Sequence, residues 1–458
     1  MKINHSLTPE HFVNLLERFW QLSGQKILQI EHEFDSAQGA PVFTKHGRYT
    51  LQGWTDWTQG FQFGSAILQF DATGDTDFLD SGRNSTMQCM APHVTHFGVH
   101  DHGFNNISTY GNLWRLMNEG KIAENSWERT CYELALKCSG AVQAKRWTSL
   151  HDGEGYIYSF NGPHSLFIDT IRTVRSLAVA HLLGHLLKDE HDMTVSLLER
   201  LLIHAATTAK YAVYYGEARD SYDVWGRVAH ESIFNVNDGN FRCPNSQQGF
   251  SGLTTWTRGL AWAILGFAEE LEFLASLGDE ETFDPFPNRK EAEACFLKAA
   301  RASADFYITN TSLDGIPYWD TGAPRLHELG EYRQHTADPF NPFEPVDSSA
   351  AVISAQGLLR LGRYLQGRGR AEDGKTYWQA GLTVLNAIFN EPYLGMSEEH
   401  QGLILHSLYH RPQGWDFIPE GRHVPCGEAT MWGDYHAREA ALYMQRVING
   451  ENYYTFWG

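Results

Sequence analysis

The chain is poor in basic charge. Its 458 residues carry 36 lysines and arginines against 55 aspartates and glutamates, a net of −19. A chain this acidic repels polyanions at long range, which excludes nucleic acid as an expected partner. A small anionic substrate stays open, because one or two local arginines can hold it. The six cysteines, Cys89, Cys131, Cys138, Cys243, Cys295 and Cys426, include no C-x-x-C pair, so they read as reduced thiols rather than a disulfide framework. No stretch is apolar for the length of a membrane span. The N-terminus, MKINHSLTPEHFVNLLERFW, lacks the apolar run of a secretion leader. These absences predict a soluble, cytoplasmic protein with no membrane partner, or a periplasmic one from which a leader has been removed. Strand-like alternation is scarce, and no linker has low-complexity composition. We therefore expect one all-α domain over residues 1–458.

Helical patterns fill the space that strands leave. FIDTIRTVRSLAVAHLLGHLL (167–187), VSLLERLLIHAATTAKYAVYY (195–215), RGLAWAILGFAEELEFLASL (258–277) and AVISAQGLLRLGRYLQ (351–366) place apolar residues at i, i+3, i+4 and i+7. SLTPEHFVNLLERFW predicts an amphipathic helix with Thr8 as its cap and Pro9 at its first position. One event recurs six times: a polar, aromatic-rich loop runs into a helix that is apolar nearly all round. The cases are WTDWTQGFQFGSAI, GVHDHGFNNIS, LFIDTIRTVRSLAVA, TTWTRGLAWAILGF, EPVDSSAAVISAQGLL and ATMWGDYHAREAALYM. A helix apolar all round is a buried one. Six of them, alternating with amphipathic outer helices, predict a closed ring of helical hairpins, with the loops before the inner helices converging on one end.

Those junctions carry Trp57, His100, Asp101, Asp169, Arg258, Trp262, Asp347 and Asp434. Paired carboxylates among aromatic walls are the equipment of glycoside chemistry, and 14 tryptophans and 20 tyrosines offer flat faces for sugars, although most serve the core. Each residue also has a plainer use. Asp101 and Asp169 can cap the helices they precede. Asp169 follows the apolar LFI, and desolvation there predicts a raised pKa, suited to a general acid. Arg258 and Trp262 share a helix face and can stack structurally. His93, His96, His100 and His102 are dense enough to suggest zinc, but no H-E-x-x-H or cysteine pairing accompanies them, and we expect neither metal nor cofactor.

In order along the chain, WTQGF, HDHGF, IDT, TTWTRGLAW, PYWDTGAP, DSSAAVISAQGLL and WGDYHAREAAL resemble the motifs of glycoside hydrolase family 88, the unsaturated glucuronyl hydrolases. The likeness to the unsaturated rhamnogalacturonyl hydrolases of family 105 is more distant. It covers the chain from about residue 50 to its end. The resemblance implies an (α/α)6 barrel. It implies as substrate an oligosaccharide ending in a 4,5-unsaturated uronic acid, the product of a polysaccharide lyase. It implies vinyl-ether hydration with Asp169 as general acid and base. Asp101 would hold sugar hydroxyls beside His100, and His230, Gln248, Arg258, Trp262 and Trp57 would complete the substrate pocket.

The chain departs from that pattern at Arg172, Thr173, Gln247 and Leu260. Arg172 lies three residues from Asp169. A guanidinium aimed at Asp169 would lower its pKa, so Arg172 either points away or binds an anionic substrate group such as a sulfate. Three rival readings are a glycosidase of the same fold acting on a saturated uronide, a non-catalytic sugar-binding toroid, and an epimerase using His100 and His230. The last two would leave the aspartates idle.

Overall fold

The computed structural model describes residues 1–457. The chain folds as two concentric rings of helices. The inner ring consists of α2 (Gln59–Thr73), α4 (102–118), α6 (170–182), α8 (Thr257–Ser276), α10 (Ser348–Gly367) and α12 (Met431–Ile448). The outer ring consists of α1 (Val13–Glu33), α3 (Thr76–Cys89), α5 (Ser126–Lys145), α7 (Leu197–Tyr211), α9 (Arg289–Asn310) and α11 (Ala371–Ile388). Each inner helix packs on the next, and α12 returns to α2, which closes the circle. This is the expected (α/α)6 barrel.

Burial follows the sequence pattern. Every residue of α8 from Thr257 to Leu274 is buried, as is every residue of α12 from Met431 to Met444. Outer α9 is covered along one stripe in its first half, including Ala292 and Phe296, and more widely from Ala299 to Tyr307. An all-apolar surface is stable only with neighbours on every side, and an amphipathic one needs them on one. No described helix is long and apolar enough to cross a membrane.

Local departures have identifiable causes. The 167–187 pattern does not form one helix: it begins at Thr170, breaks at Val174 and ends at Leu182. Gly184, at φ +70°, then turns the chain into a hairpin of Leu186–Lys188 with Thr194–Ser196. At the N-terminus, Pro9 opens a 3₁₀ turn, Pro9–Phe12, and α1 starts only at Val13. An antiparallel three-stranded sheet, absent from the sequence reading, joins Ser165–Phe167 to Glu231–Phe234 and Phe241–Asn245.

Candidate active site

The loops before α2, α4 and α6 and the first turns of α8 surround a cavity of about 330 Å³. That lies near the lower end of the roughly 300–1,000 Å³ usual for small-molecule sites. Trp57, His100, Asp101, Asp169, Gln248, Arg258 and Trp262 all line it. Two features bring them together. Inner-helix ends approach so closely that a Cβ on Gly103 would lie 2.1 Å from the Thr173 carbonyl oxygen, and one on Gly60 would lie 2.4 Å from that of Asn105. The three-stranded sheet adds a second constraint: the Ile168 N–H donates to the His230 carbonyl at 2.9 Å, which sets Asp169 beside His230.

His100 links the two carboxylates. Its Nε2 lies 3.1 Å from Asp169 Oδ1 and 3.9 Å from Asp101 Oδ1. Its Nδ1 accepts the backbone N–H of Phe160 at 3.1 Å. Nδ1 must therefore carry a lone pair, and the ring proton sits on Nε2, facing Asp169. Burial lowers the pKa of His100, and the two carboxylates outweigh it and raise the pKa; yet a second proton would have to meet the Phe160 N–H head-on. We therefore read the ring as the neutral Nε2–H tautomer.

The carboxylates are driven apart. Burial raises Asp101, and the charge of Asp169 adds to this, against His100 and Arg146. Burial also pushes Asp169 up, but His100, whose Nε2–H points at it, with His230 and Arg258 behind, holds it below its ordinary value. The expectation that desolvation leaves Asp169 with a raised pKa is thus corrected for the unliganded site: its partners outweigh its burial.

Trp57 stacks on Trp432 at 5.0 Å and donates Nε1–H to the Tyr409 hydroxyl at 3.3 Å. Trp262 packs on Phe104 at 4.8 Å. Arg258 is sandwiched between Trp256 and Trp432, 4.5 and 4.9 Å from their rings. Its Nη1 donates to Asp347 Oδ2 (3.1 Å) and to the Leu408 carbonyl, and its Nη2 donates to Gln248 Oε1 (2.7 Å) and the Tyr409 carbonyl (2.8 Å). Both terminal nitrogens are taken, so Arg258 aims Gln248 and anchors residues 408–409. His230 stands behind the wall. Its ring packs between Phe167 and Trp256, 4.5 and 4.6 Å away, and its Nδ1 accepts the Gln247 and Gln248 N–H groups at 3.0 and 3.3 Å. Burial chiefly lowers its pKa, to about 4.

Arg172 is a correction. It is fully buried in the barrel below the cavity, paired with Glu269 at 2.9 Å and Glu439 at 3.0 Å, and it touches neither the cavity nor Asp169. Inside a helix ring a long cation reaches the axis, where glutamates of α8 and α12 meet it. Asp347 caps α10 and holds Arg258, and Asp434 binds the Leu403 and Ile404 N–H groups and the Tyr49 hydroxyl; neither lines the cavity. Of the remaining histidines of HVTHFGVHDH, His96 lines the cavity, and His93 and His102 have their own partners. His93 lies 2.9 Å from Gln59 Oε1 and 3.0 Å from Asn105 Nδ2, and His102 lies 3.0 Å from Ser139 Oγ and 3.1 Å from the His96 carbonyl.

Sequence reasoning missed Trp54, Phe160, Tyr409 and His410, which line the cavity from loops. Asp416 fixes the last two by accepting the Tyr409 and His410 N–H groups. Burial raises its pKa to about 6. Trp54 opens the junction WTDWTQGFQFGSAI, whereas Phe160, Tyr409 and His410 lie in loops that show no periodicity.

No protein-family model matches the chain. An unsaturated glucuronyl hydrolase from Bacillus sp. (strain GL1) is 26% identical over 412 residues, covering 88% of this chain and 90% of that one. The crystal structure of unsaturated glucuronyl hydrolase from Bacillus sp. GL1, described as responsible for the degradation of glycosaminoglycan, superposes with a TM-score of 0.69 at 21% identity, over 96% of this chain and 98% of that one. A Streptococcus agalactiae unsaturated glucuronyl hydrolase variant, solved in complex with dGlcA-GalNAc6S, superposes with a TM-score of 0.65 at 18% identity over the whole of both chains. The structures establish a shared fold. The sequence alignment runs nearly end to end, and the resemblance carried by the motifs holds across the chain.

Proposed function

We propose that this chain is an unsaturated uronyl (glucuronyl) hydrolase, removing a 4,5-unsaturated uronic acid from the non-reducing end of lyase-generated oligosaccharides. The observation that carries the reading is the buried Asp101–His100–Asp169 cluster on the wall of an aromatic cavity of monosaccharide scale. Asp169 is the general acid. The entering uronate brings negative charge and excludes water, and both favour the protonated carboxyl over the carboxylate. Asp169 gives its proton to C4 of the vinyl ether, which leaves an oxocarbenium at C5. The Asp169 carboxylate then takes a proton from water as its oxygen bonds to C5. The resulting hemiketal opens and expels the remaining saccharide. Asp101, the carboxyl with the higher pKa, holds the sugar hydroxyls. Gln248, its carbonyl end tied to Arg258, turns its amide N–H groups to the uronate carboxylate.

A panel of lyase digests tests the reading through loss of the ultraviolet absorbance of the conjugated alkene. In heavy water, early product followed by NMR should carry deuterium at C4. A saturated uronide with the same leaving group should not turn over, because it has no vinyl ether to protonate. Rapid cleavage of that substrate, or early product without C4 deuterium, would replace this proposal with a glycosidase acting on a saturated uronide.

A further inference from the structure

Three aromatic rings from separate loops meet at the mouth of the cavity. Trp54 and Phe160 stack at 5.3 Å with 10° between their planes, and Trp415 meets Trp54 edge-on at 5.2 Å. Trp54 and Phe160 both line the cavity, yet Trp54 stays 60% exposed and Phe160 43%. Exposing a tryptophan forgoes the burial that normally recommends the residue. Here the backbone adds a cost, because Trp54 sits at φ +51°, in the left-handed region that disfavours side chains of this bulk. A flat, exposed, amphipathic ring held in this way beside a sugar-sized cavity is a stacking surface for the next sugar out.

Charge at the same place is one-sided. Among the described residues lining the cavity, Arg258 is the one arginine or lysine, and both its terminal nitrogens are engaged. Arg172, the alternative holder of a sulfate, is withdrawn into the barrel. Arg146, near Asp101, donates to the carbonyls of Phe97, Tyr158 and Ser159. Asp56 is exposed and lines the cavity. A sulfate arriving here meets a carboxylate and, among the residues lining the cavity, no free guanidinium.

Building on the hydration reading above, we propose that the sugar adjoining the unsaturated uronate stacks on the Trp54–Phe160 platform, and that this subsite selects an uncharged, unsulfated sugar. The platform is tied to the chemistry, since the N–H of Phe160 is the group that orients His100.

The test measures kcat and KM for unsaturated disaccharides that differ only in sulfation of the leaving sugar, and for the methyl glycoside of the unsaturated uronate, which has no sugar to stack. The unsulfated disaccharide should be favoured roughly tenfold or more in kcat/KM, as like-charge juxtaposition dictates. Trp54→Ala should raise KM for it about fivefold or more, with kcat changed far less, and Trp54→Phe, which keeps a flat ring, should restore most of the loss. Asp56→Asn should narrow the gap between sulfated and unsulfated substrates. Equal or better kcat/KM for the sulfated disaccharide overturns the inference, and Arg411→Ala would then show whether that neighbour of His410 recognises sulfate. An unchanged KM in Trp54→Ala overturns it as well. The methyl glycoside separates the two claims: if it is consumed while the contrasts fail, the hydration reading stands, and if neither it nor any unsaturated disaccharide is consumed, both fall.

Discussion

His100 is oriented by one backbone amide, and its Nε2–H is thereby committed to Asp169. This leaves Asp169 the lower and Asp101 the higher of the two carboxyl pKa values. Asp169→Asn keeps the shape but cannot deliver a proton, so turnover should fall at least about 10²–10⁴-fold. Activity within a few-fold of the parent protein would remove Asp169 from its role. Asp101→Asn has a subtler signature. The negative charge of Asp169 raises the pKa of Asp101, and repulsion between like charges acts on both partners. Removing one lowers the remaining pKa, and a general acid works only below its pKa, so the alkaline limb of residual kcat should move to lower pH. A limb that stays put or moves upward contradicts this coupling. Arg172 is tested by stability instead of kinetics. Arg172→Ala takes from Glu269 and Glu439 the shortest ion pair of each and leaves them Arg360 at 3.9 Å and Arg175 at 3.5 Å, and breaking a buried pair in this way typically costs about 3–5 kcal/mol. Denaturant unfolding should report that loss, while KM of the folded fraction holds. A raised KM at unchanged stability would return Arg172 to the substrate site.

The inner helices were legible in the sequence because their burial is local information: TRGLAWAILGF reads as buried on all sides, and it is. Trp57, Asp101, Asp169, Gln248, Arg258 and Trp262 were legible as site residues because each stands at the head of such a helix or matches a motif. The three-stranded sheet was not, since Ser165–Phe167 and Glu231–Phe234 are each too short to show alternation and pair across more than sixty residues. Nor was the withdrawal of Arg172, which depends on glutamates of α8 and α12 that only ring closure brings near. Ring closure also explains the glycine of HDHGF. Gly103 lets the start of α4 lie against the first turn of α6, with no room for a methyl beside the Thr173 carbonyl. Backbone cannot yield as a flexible side chain does, so Gly103→Ala should force α4 and α6 apart at the level of Asp101 and Asp169. Overpacking of this kind costs typically about 1–3 kcal/mol. We expect a lower melting temperature together with a drop in kcat larger than the change in KM. A variant with parental kcat would mean that the two aspartates tolerate displacement of their helices.

The whole ring is stoppered at the end away from the cavity. Below the site, Arg172, Arg175, Arg360, Glu269, Glu272 and Glu439 fill the barrel with buried charge. Burial alone would raise the pKa of Glu439, but Arg172 and Arg175 hold it well below the ordinary carboxylate range. Such a cluster is costly unless ion pairs and hydrogen bonds offset its burial and water stays out. The segment after α12 contributes to both, although Arg172 Nη1, Arg175 Nη2 and Glu272 Oε1 keep no hydrogen-bond partner. Tyr454 is fully buried, and its hydroxyl lies 3.1 Å from both Glu439 Oε1 and Asn112 Oδ1. Its carbonyl accepts from Arg360 at 2.8 Å, and its ring lies 4.8 Å from the Arg115 guanidinium. Tyr454→Phe keeps the stopper and removes only the hydroxyl, which should cost about 1–3 kcal/mol because its one proton no longer reaches a buried acceptor of the cluster. Tyr454→Ala removes the ring as well, and large aromatic truncations cost about 3–5 kcal/mol before any water enters. Both losses should appear in denaturant unfolding, in that order, with kcat and KM of the folded protein close to parental, because the reacting groups lie at the opposite end of the inner helices. If Tyr454→Phe instead lowered kcat at unchanged stability, the ionic cluster would be acting on the carboxylates above it, and the barrel could not be divided into a working end and a supporting one.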